Sequence, residues 1–204
     1  MRNFIIVYGD KGTGEHNAGG LFEMSAKTHE REVKTRAFPN VPSFQAGDVI
    51  NTYHISTVSE LIKLLEVGDV IYLAYFGHSW NGGVGALYVG EADAPDTNLG
   101  NAGGANDTSV TKLPKDKFRR DAQIRLFGCR GAFGTDSIAA QIAAHLGIKI
   151  YAYNNSGGSL FTQDKTLGYG KRAVKKADID FKKFNKLADT WLVPINGTPN
   201  FVAF

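Results

Sequence analysis

His78 and Cys129 are the two residues of this 204-residue chain whose chemistry could combine into a catalyst. A free thiol has a pKa of about 8.5 and is mostly protonated at neutral pH. An imidazole beside it can take that proton or stabilise the thiolate, and the sulfur then becomes a nucleophile toward a carbonyl carbon. Backbone N–H groups at Ser79 and Cys129 are candidates for the oxyanion hole that such an attack requires. Taken singly, a cysteine after a buried run is usually a small apolar core residue, and a histidine beside glycine is often a turn residue. It is their shared placement that points to chemistry.

That placement comes from the elements around them. His78 follows the continuous apolar run from Val70 to Phe76, and Cys129 follows the shorter run over residues 124–127. Both runs read as buried strands. Glycine flanks each residue, in Gly77-His78-Ser79 and in Gly128-Cys129-Arg130-Gly131, and permits close backbone approach. If the two strands are neighbours in a parallel sheet, both side chains emerge at its carboxyl edge. Further strands are expected at residues 4–8, 48–55 and 148–153. Helices are expected over residues 24–37 with Ser25 as a cap, from Ser56 or Thr57 to Leu65, and from Asp136 or Ser137 to Leu146. The region 98–107, crowded with Gly, Asn and Asp, reads as a long surface loop, and residues 115–120 as a short helix. The alternation predicts an α/β fold, a mainly parallel sheet covered on both faces, with sites where the strands' carboxyl ends open into loops. One domain is expected over 1–204, with a core over 4–158 and a basic, helical C-terminal extension over 159–204.

Order and spacing sharpen the pairing. The histidine precedes the cysteine by 51 residues. In caspases a Cys followed by Arg, Gln or Gly and then Gly has its histidine about 50 residues upstream. Cys129-Arg130-Gly131 matches, while Phe127-Gly128 stands where that signature has Gln-Ala. The papain-like order fits poorly, because the one histidine after Cys129 is His145, inside an expected helix. On these residues the chain resembles the caspase-like superfamily of cysteine peptidases, which includes legumains, separases, clostripain and gingipain-type bacterial enzymes and the autoprocessing domains of bacterial toxins. The resemblance covers residues 4–153. It implies a three-layer α/β/α sandwich, a His78/Cys129 dyad and hydrolysis of peptide bonds after a selected side chain; no cofactor is expected. Relatives usually place glycine directly after the histidine, whereas here Ser79 follows. By the same resemblance the substrate pocket lies at the end of the first strand and after the last core strand, which points to Asp10, Lys11, Asn154 and Asp164. Asp10 or Asp164 suits a basic substrate side chain and Lys11 an acidic one, with the lean to basic. Self-processing is a further expectation, with Lys112, Lys115, Lys117, Arg119 and Arg120 offering basic positions in the long segment before Cys129. Two other readings remain open: a binding or scaffold protein that keeps the fold without catalysis, and another cysteine-dependent acyl hydrolase, since a dyad specifies acyl transfer rather than peptides.

Composition narrows the classes. At 43% hydrophobic and 21% charged the chain can bury a core, and a net charge of +3 is too small to suggest nucleic-acid binding. Charge is concentrated between Lys171 and Lys186, which reads as a solvated helix face or as an anion or partner surface, and the resemblance to toxin autoprocessing domains implies an anionic activator there. A single cysteine excludes an intramolecular disulfide and a cysteine-rich zinc site. Glu15, His16, His29 and His54 show no recognised metal-ligand spacing, so no metal is expected. The loop after Tyr8 fails as a phosphate cradle, because Gly14 is followed by Glu15-His16 and position 17 is Asn. The apolar run at the N-terminus is too short for a signal peptide and no stretch approaches a membrane span. The expectation is a soluble protein, cytoplasmic or exported without a cleavable signal, acting on a peptide or protein substrate.

Overall fold

The structure, a computed structural model, describes residues 1–10, 21–35, 41–80, 84–91, 94–128, 130–153, 159–162, 191–194 and 201–203. In chain order the elements are β1 (Asn3–Tyr8), α1 (Leu21–Thr35), β2 (Val49–His54), α2 (Val58–Leu65), β3 (Val70–Phe76), β4 (His78–Trp80), β5 (Ala86–Tyr88), β6 (Asn98–Gly100), β7 (Asp107–Thr108), β8 (Phe118–Phe127), α3 (Ile138–Leu146), β9 (Lys149–Tyr153), β10 (Ser159–Thr162), β11 (Trp191–Pro194) and β12 (Phe201–Ala203). The main sheet has the order β12-β9-β8-β3-β1-β2. Five of its strands run parallel, and β12 closes one edge antiparallel to β9. A smaller sheet, β4-β5-β6-β7, leaves the main one directly after β3.

Side chains alternate across the strands and so sort into two cores. Ile5 and Val7 of β1, Leu73 and Tyr75 of β3, and Ile124 and Leu126 of β8 pack with Val58, Leu61 and Leu65 of α2 and Ile138, Ile142 and Leu146 of α3. On the other face Phe4, Ile6, Tyr72, Ala74, Phe76 and Phe127 pack with Phe22, Ala26 and Val33 of α1. The result is the three-layer α/β/α sandwich with a mainly parallel sheet. Its central strand, β3, is buried along its whole length, as a strand covered on both faces must be.

The helix boundaries follow from local chemistry. Thr57 caps α2 by accepting from the Glu60 N–H, and Glu60 reaches back to the Thr57 N–H, a reciprocal capping box. Ser137 caps α3, and Gly147 ends it in the left-handed conformation at φ 72°. α1 departs from expectation. It begins at Leu21 rather than Met24, and Ser25 is buried inside the helix instead of capping it. The reason is the stripe Phe22, Ala26, His29 and Val33, which recurs at helical spacing and seats α1 on the sheet from its first turn.

Three further expectations are corrected. Residues 98–107 are not one loop, because β6 and β7 frame them. The Asp107 carboxylate holds the span together by accepting from the Asn98 side-chain amide at 3.1 Å and the Gly104 N–H at 2.9 Å. The helix expected at 115–120 shrinks to a 3-10 turn over Lys115–Lys117. Phe118 packs against the α2/α3 core and already begins β8, which is ten residues long and departs from regular register between Val70 and Tyr72 of its partner. In 159–204, the described parts are strands, and β12 pairs with Tyr151, Ala152 and Tyr153 of β9, so the sheet does not close at residue 158.

His29 is a polar residue at the heart of the α1 layer. Its Nε2 lies 2.8 Å from the Tyr72 hydroxyl, and its ring meets those of Phe76 and Phe127. Burial, with a smaller contribution from the Arg125 charge, pushes its pKa down from 6.5 to about 3. The unfolded chain therefore binds a proton at His29 between those two values while the folded chain does not, so this contribution to stability is complete above pH 6.5 and is lost as pH falls toward 3. We expect urea unfolding at pH 7 and pH 5 to show the wild type losing more stability on acidification than His29→Gln, by up to about 1.4 kcal/mol per pH unit. Equal losses in the two proteins would show that the His29 imidazole does not resist protonation.

Candidate active site

β3 and β8 are adjacent parallel strands that end level with each other, Phe76 opposite Phe127. The two terminal rings stack at 4.3 Å with planes 8° apart. Each strand then gives way to glycine, and the turns that follow touch. A Cβ placed on Gly128 would lie 2.5 Å from Ser79 Oγ, 2.9 Å from Ser79 Cβ and 3.1 Å from the Gly77 carbonyl oxygen. No side chain fits there, so glycine at position 128 is a condition for the two strand ends to meet.

His78 opens β4 and pairs with Tyr88 of β5. Its imidazole stands edge-on to Phe22 in the first turn of α1, centroids 4.9 Å apart and planes at 84°. Ser79 packs its side chain against Gly128 and is opposite Leu87 in the smaller sheet. On the other side of the gap, Arg130 adopts the left-handed conformation at φ 57°, which is uncommon for a residue other than glycine, asparagine or aspartate. Its carbonyl accepts from the Phe133 N–H, and the Gly131 carbonyl accepts from the Ala139 N–H at the start of α3, both at 3.0 Å. The segment after position 129 is thereby tied to the helix that covers the sheet. Cys129 itself lies outside the described residues, as do Lys11, Asn154, Asp164 and the basic cluster between Lys171 and Lys186.

Asp10 stands just past the end of β1, the strand between β3 and β2, so it shares the carboxyl edge with His78. It is already engaged. Its Oδ1 lies 2.6 Å from His54 Nε2 and accepts from the Ser56 hydroxyl at 3.2 Å, while its N–H donates to the Val89 carbonyl. His54 ends β2 as the strand leaves the core, and its ring lies 5.2 Å from that of Tyr8. In the sequence His54 reads only as a candidate metal ligand; its contact with Asp10 is visible only in the structure. The available signal was its position, a histidine closing an expected strand, as His78 nearly does. Among the described residues no three His, Cys, Asp or Glu side chains are grouped to hold a metal ion, and no helix is long and apolar enough to cross a membrane. A cavity of about 640 Å³ lies elsewhere, at the amino ends of β8 and β9, lined in part by Arg120, Gln123, Gly147 and Lys149.

The fold and the site define a class: a three-layer α/β sandwich in which the residues on either side of a histidine, Gly77 and Ser79, pack against the glycine that precedes a cysteine in the sequence. Compared with protein-family models, with curated proteins and with solved structures, the chain gives no match.

The contact between the two turns is open to a direct test. Gly128→Ala should destabilise the protein by about 1–3 kcal/mol, the usual cost of overpacking a closed site. Ser79→Gly removes the atoms that a Cβ at position 128 would strike first. A double-mutant cycle by chemical denaturation should therefore recover at least about 1 kcal/mol in Gly128→Ala/Ser79→Gly. Additive losses would place the two strand ends out of contact.

Proposed function

We propose that the chain is a cysteine endopeptidase in which Cys129 is the nucleophile and His78 its base. The observation that carries this reading is the packing of Gly128 against Ser79 and the Gly77 carbonyl, at the level ends of two parallel strands. It brings the residue before Cys129 and the residue after His78 into van der Waals contact. In the reaction His78 takes the Cys129 thiol proton and the sulfur bonds to the peptide carbonyl carbon. The resulting oxyanion accepts from the N–H groups of Ser79 and Cys129. Collapse breaks the C–N bond as the His78 imidazolium protonates the departing amine. Water, deprotonated by His78, then cleaves the thioester, releasing the carboxylic acid and restoring the thiol.

Asp10 is the candidate for substrate selection at the same edge. Its position beyond β1, with His54 and Ser56 on one carboxylate oxygen, supports a preference for a basic side chain before the scissile bond. Lys11, Asn154 and Asp164 complete this proposed pocket, and an anionic activator at the cluster between Lys171 and Lys186 belongs to the same reading. Self-cleavage at the exposed Lys112 or Lys115, ahead of β8, would leave that strand whole. A second reading, a scaffold without catalysis, draws on Ser79, whose side chain fills the space beside Gly128.

Alkylation and turnover separate the two. As a peptidase, the wild type should react with iodoacetamide at pH 6, well below the pKa of a free thiol, and His78→Ala should shift that reactivity to higher pH. Cys129→Ala should lower cleavage in a positional-scanning peptide library by at least about a thousandfold. Undiminished cleavage by that variant sinks the assignment, and an inert thiol with no cleavage favours the scaffold. In the same library Asp10→Asn should reduce kcat/KM for peptides with Arg or Lys before the cleaved bond by at least about tenfold, leaving neutral residues little changed. An unaltered preference would remove Asp10 from the pocket.

A further inference from the structure

The corner between β3 and β4 has to be sharp and fixed, yet its middle residue is glycine, which has no side chain with which to fix it. Tyr75 supplies what is missing. Its ring lies in the α2/α3 core at 1% exposure, and its hydroxyl reaches back beneath the corner. There the oxygen lies 3.0 Å from the His78 carbonyl and 2.5 Å from the Tyr88 carbonyl, within donating distance of both. The space it uses is that left by Gly77, where a Cβ would collide with the Tyr75 hydroxyl. One proton serves the two acceptors, so the hydroxyl clamps β4 and β5 together at the residue pair where the smaller sheet begins. Burial raises the phenol pKa above its ordinary value, which keeps the group a donor at any pH the protein would meet.

The consequence runs through peptide geometry. The His78 carbonyl and the Ser79 N–H belong to one planar trans unit and point in opposite directions. A donor that fixes the carbonyl therefore fixes the direction of the N–H, and with it the backbone from which the imidazole projects. We propose that Tyr75 is a positioning residue for the His78–Ser79 peptide, setting both the seat of the imidazole and the aim of the Ser79 N–H. Its catalytic consequence rests on the peptidase reading above. Its structural half stands on the Tyr75 geometry alone.

The test compares Tyr75→Phe with Tyr72→Phe. Tyr72 is an equally buried tyrosine of β3 on the opposite face, and its hydroxyl meets His29 rather than the corner. Each variant keeps the ring and loses one buried, hydrogen-bonded hydroxyl, so a purely structural role would affect both alike. Amide hydrogen exchange should quicken at least about tenfold over residues 77–80 in Tyr75→Phe and stay at the wild-type rate there in Tyr72→Phe, about 1.4 kcal/mol of lost local protection. On the best library peptide, kcat should fall about 10- to 100-fold in Tyr75→Phe with KM within twofold, the signature of a lost transition-state arrangement, and should hold in Tyr72→Phe. Unchanged exchange at 77–80, equal effects in the two variants, or a kcat within twofold of wild type for Tyr75→Phe would each overturn the proposal. If the wild type cleaves no peptide, the peptidase reading has failed, and the exchange measurement alone decides whether Tyr75 holds the corner.

Discussion

Two parallel strands that end at the same height must do something with the residues that follow, and here those residues press against one another. Phe76 and Phe127 stack as the last residues of β3 and β8, and one position further on Gly128 meets Ser79 and the Gly77 carbonyl. A contact this close admits no side chain at position 128 and leaves no space at position 77, already taken by the Tyr75 hydroxyl. Gly128 is therefore a steric requirement of the strand pairing, and Gly77 a requirement of the seat of the Tyr75 hydroxyl. Any chemistry at this edge inherits its geometry from that pairing, because the strands are held by ladder hydrogen bonds and by cores on both faces.

The two buried tyrosines of β3 show how alternation divides labour along one strand. Tyr72 faces α1 and spends its hydroxyl on His29, a polar pair closed inside an apolar layer. Tyr75 faces α2 and α3 and spends its hydroxyl on two carbonyls at the carboxyl edge. Both obey the rule that a buried polar group needs a partner. They differ in reach: one secures the interior, the other the boundary between the main sheet and the smaller one. Asp10 and His54 extend the same polar row past β1 and β2, so the carboxyl ends of adjacent strands carry Gly128, His78, Asp10 and His54 in spatial order.

Much of the scaffold was legible in the sequence because its signals are local. The apolar run of β3 has the observed boundaries, and the Thr57/Glu60 and Ser137 caps and Gly147 sit where the pattern places helix ends. What misled was also local. Ser25 looks like a cap, but the stripe from Phe22 to Val33 carries the helix past it onto the sheet. The polar stretch over 98–107 looks like a loop, but Asp107 gathers enough donors to make it part of a sheet. β12 pairs with β9 from nearly fifty residues away, and no periodicity signals a partner so distant.

For the candidate site the division is similar. The sequence by itself determined that a histidine and a cysteine each follow a buried strand and that glycine attends both, since apolar runs and glycine are written residue by residue. Only the tertiary structure decided that β3 and β8 are neighbours in level register, that Ser79 rather than a void lies against Gly128, that Asp10 is held by His54, and that Tyr75 reaches the His78 carbonyl. Strand order, register and side-chain reach arise from how whole layers pack, and neighbouring residues in the chain carry no record of them.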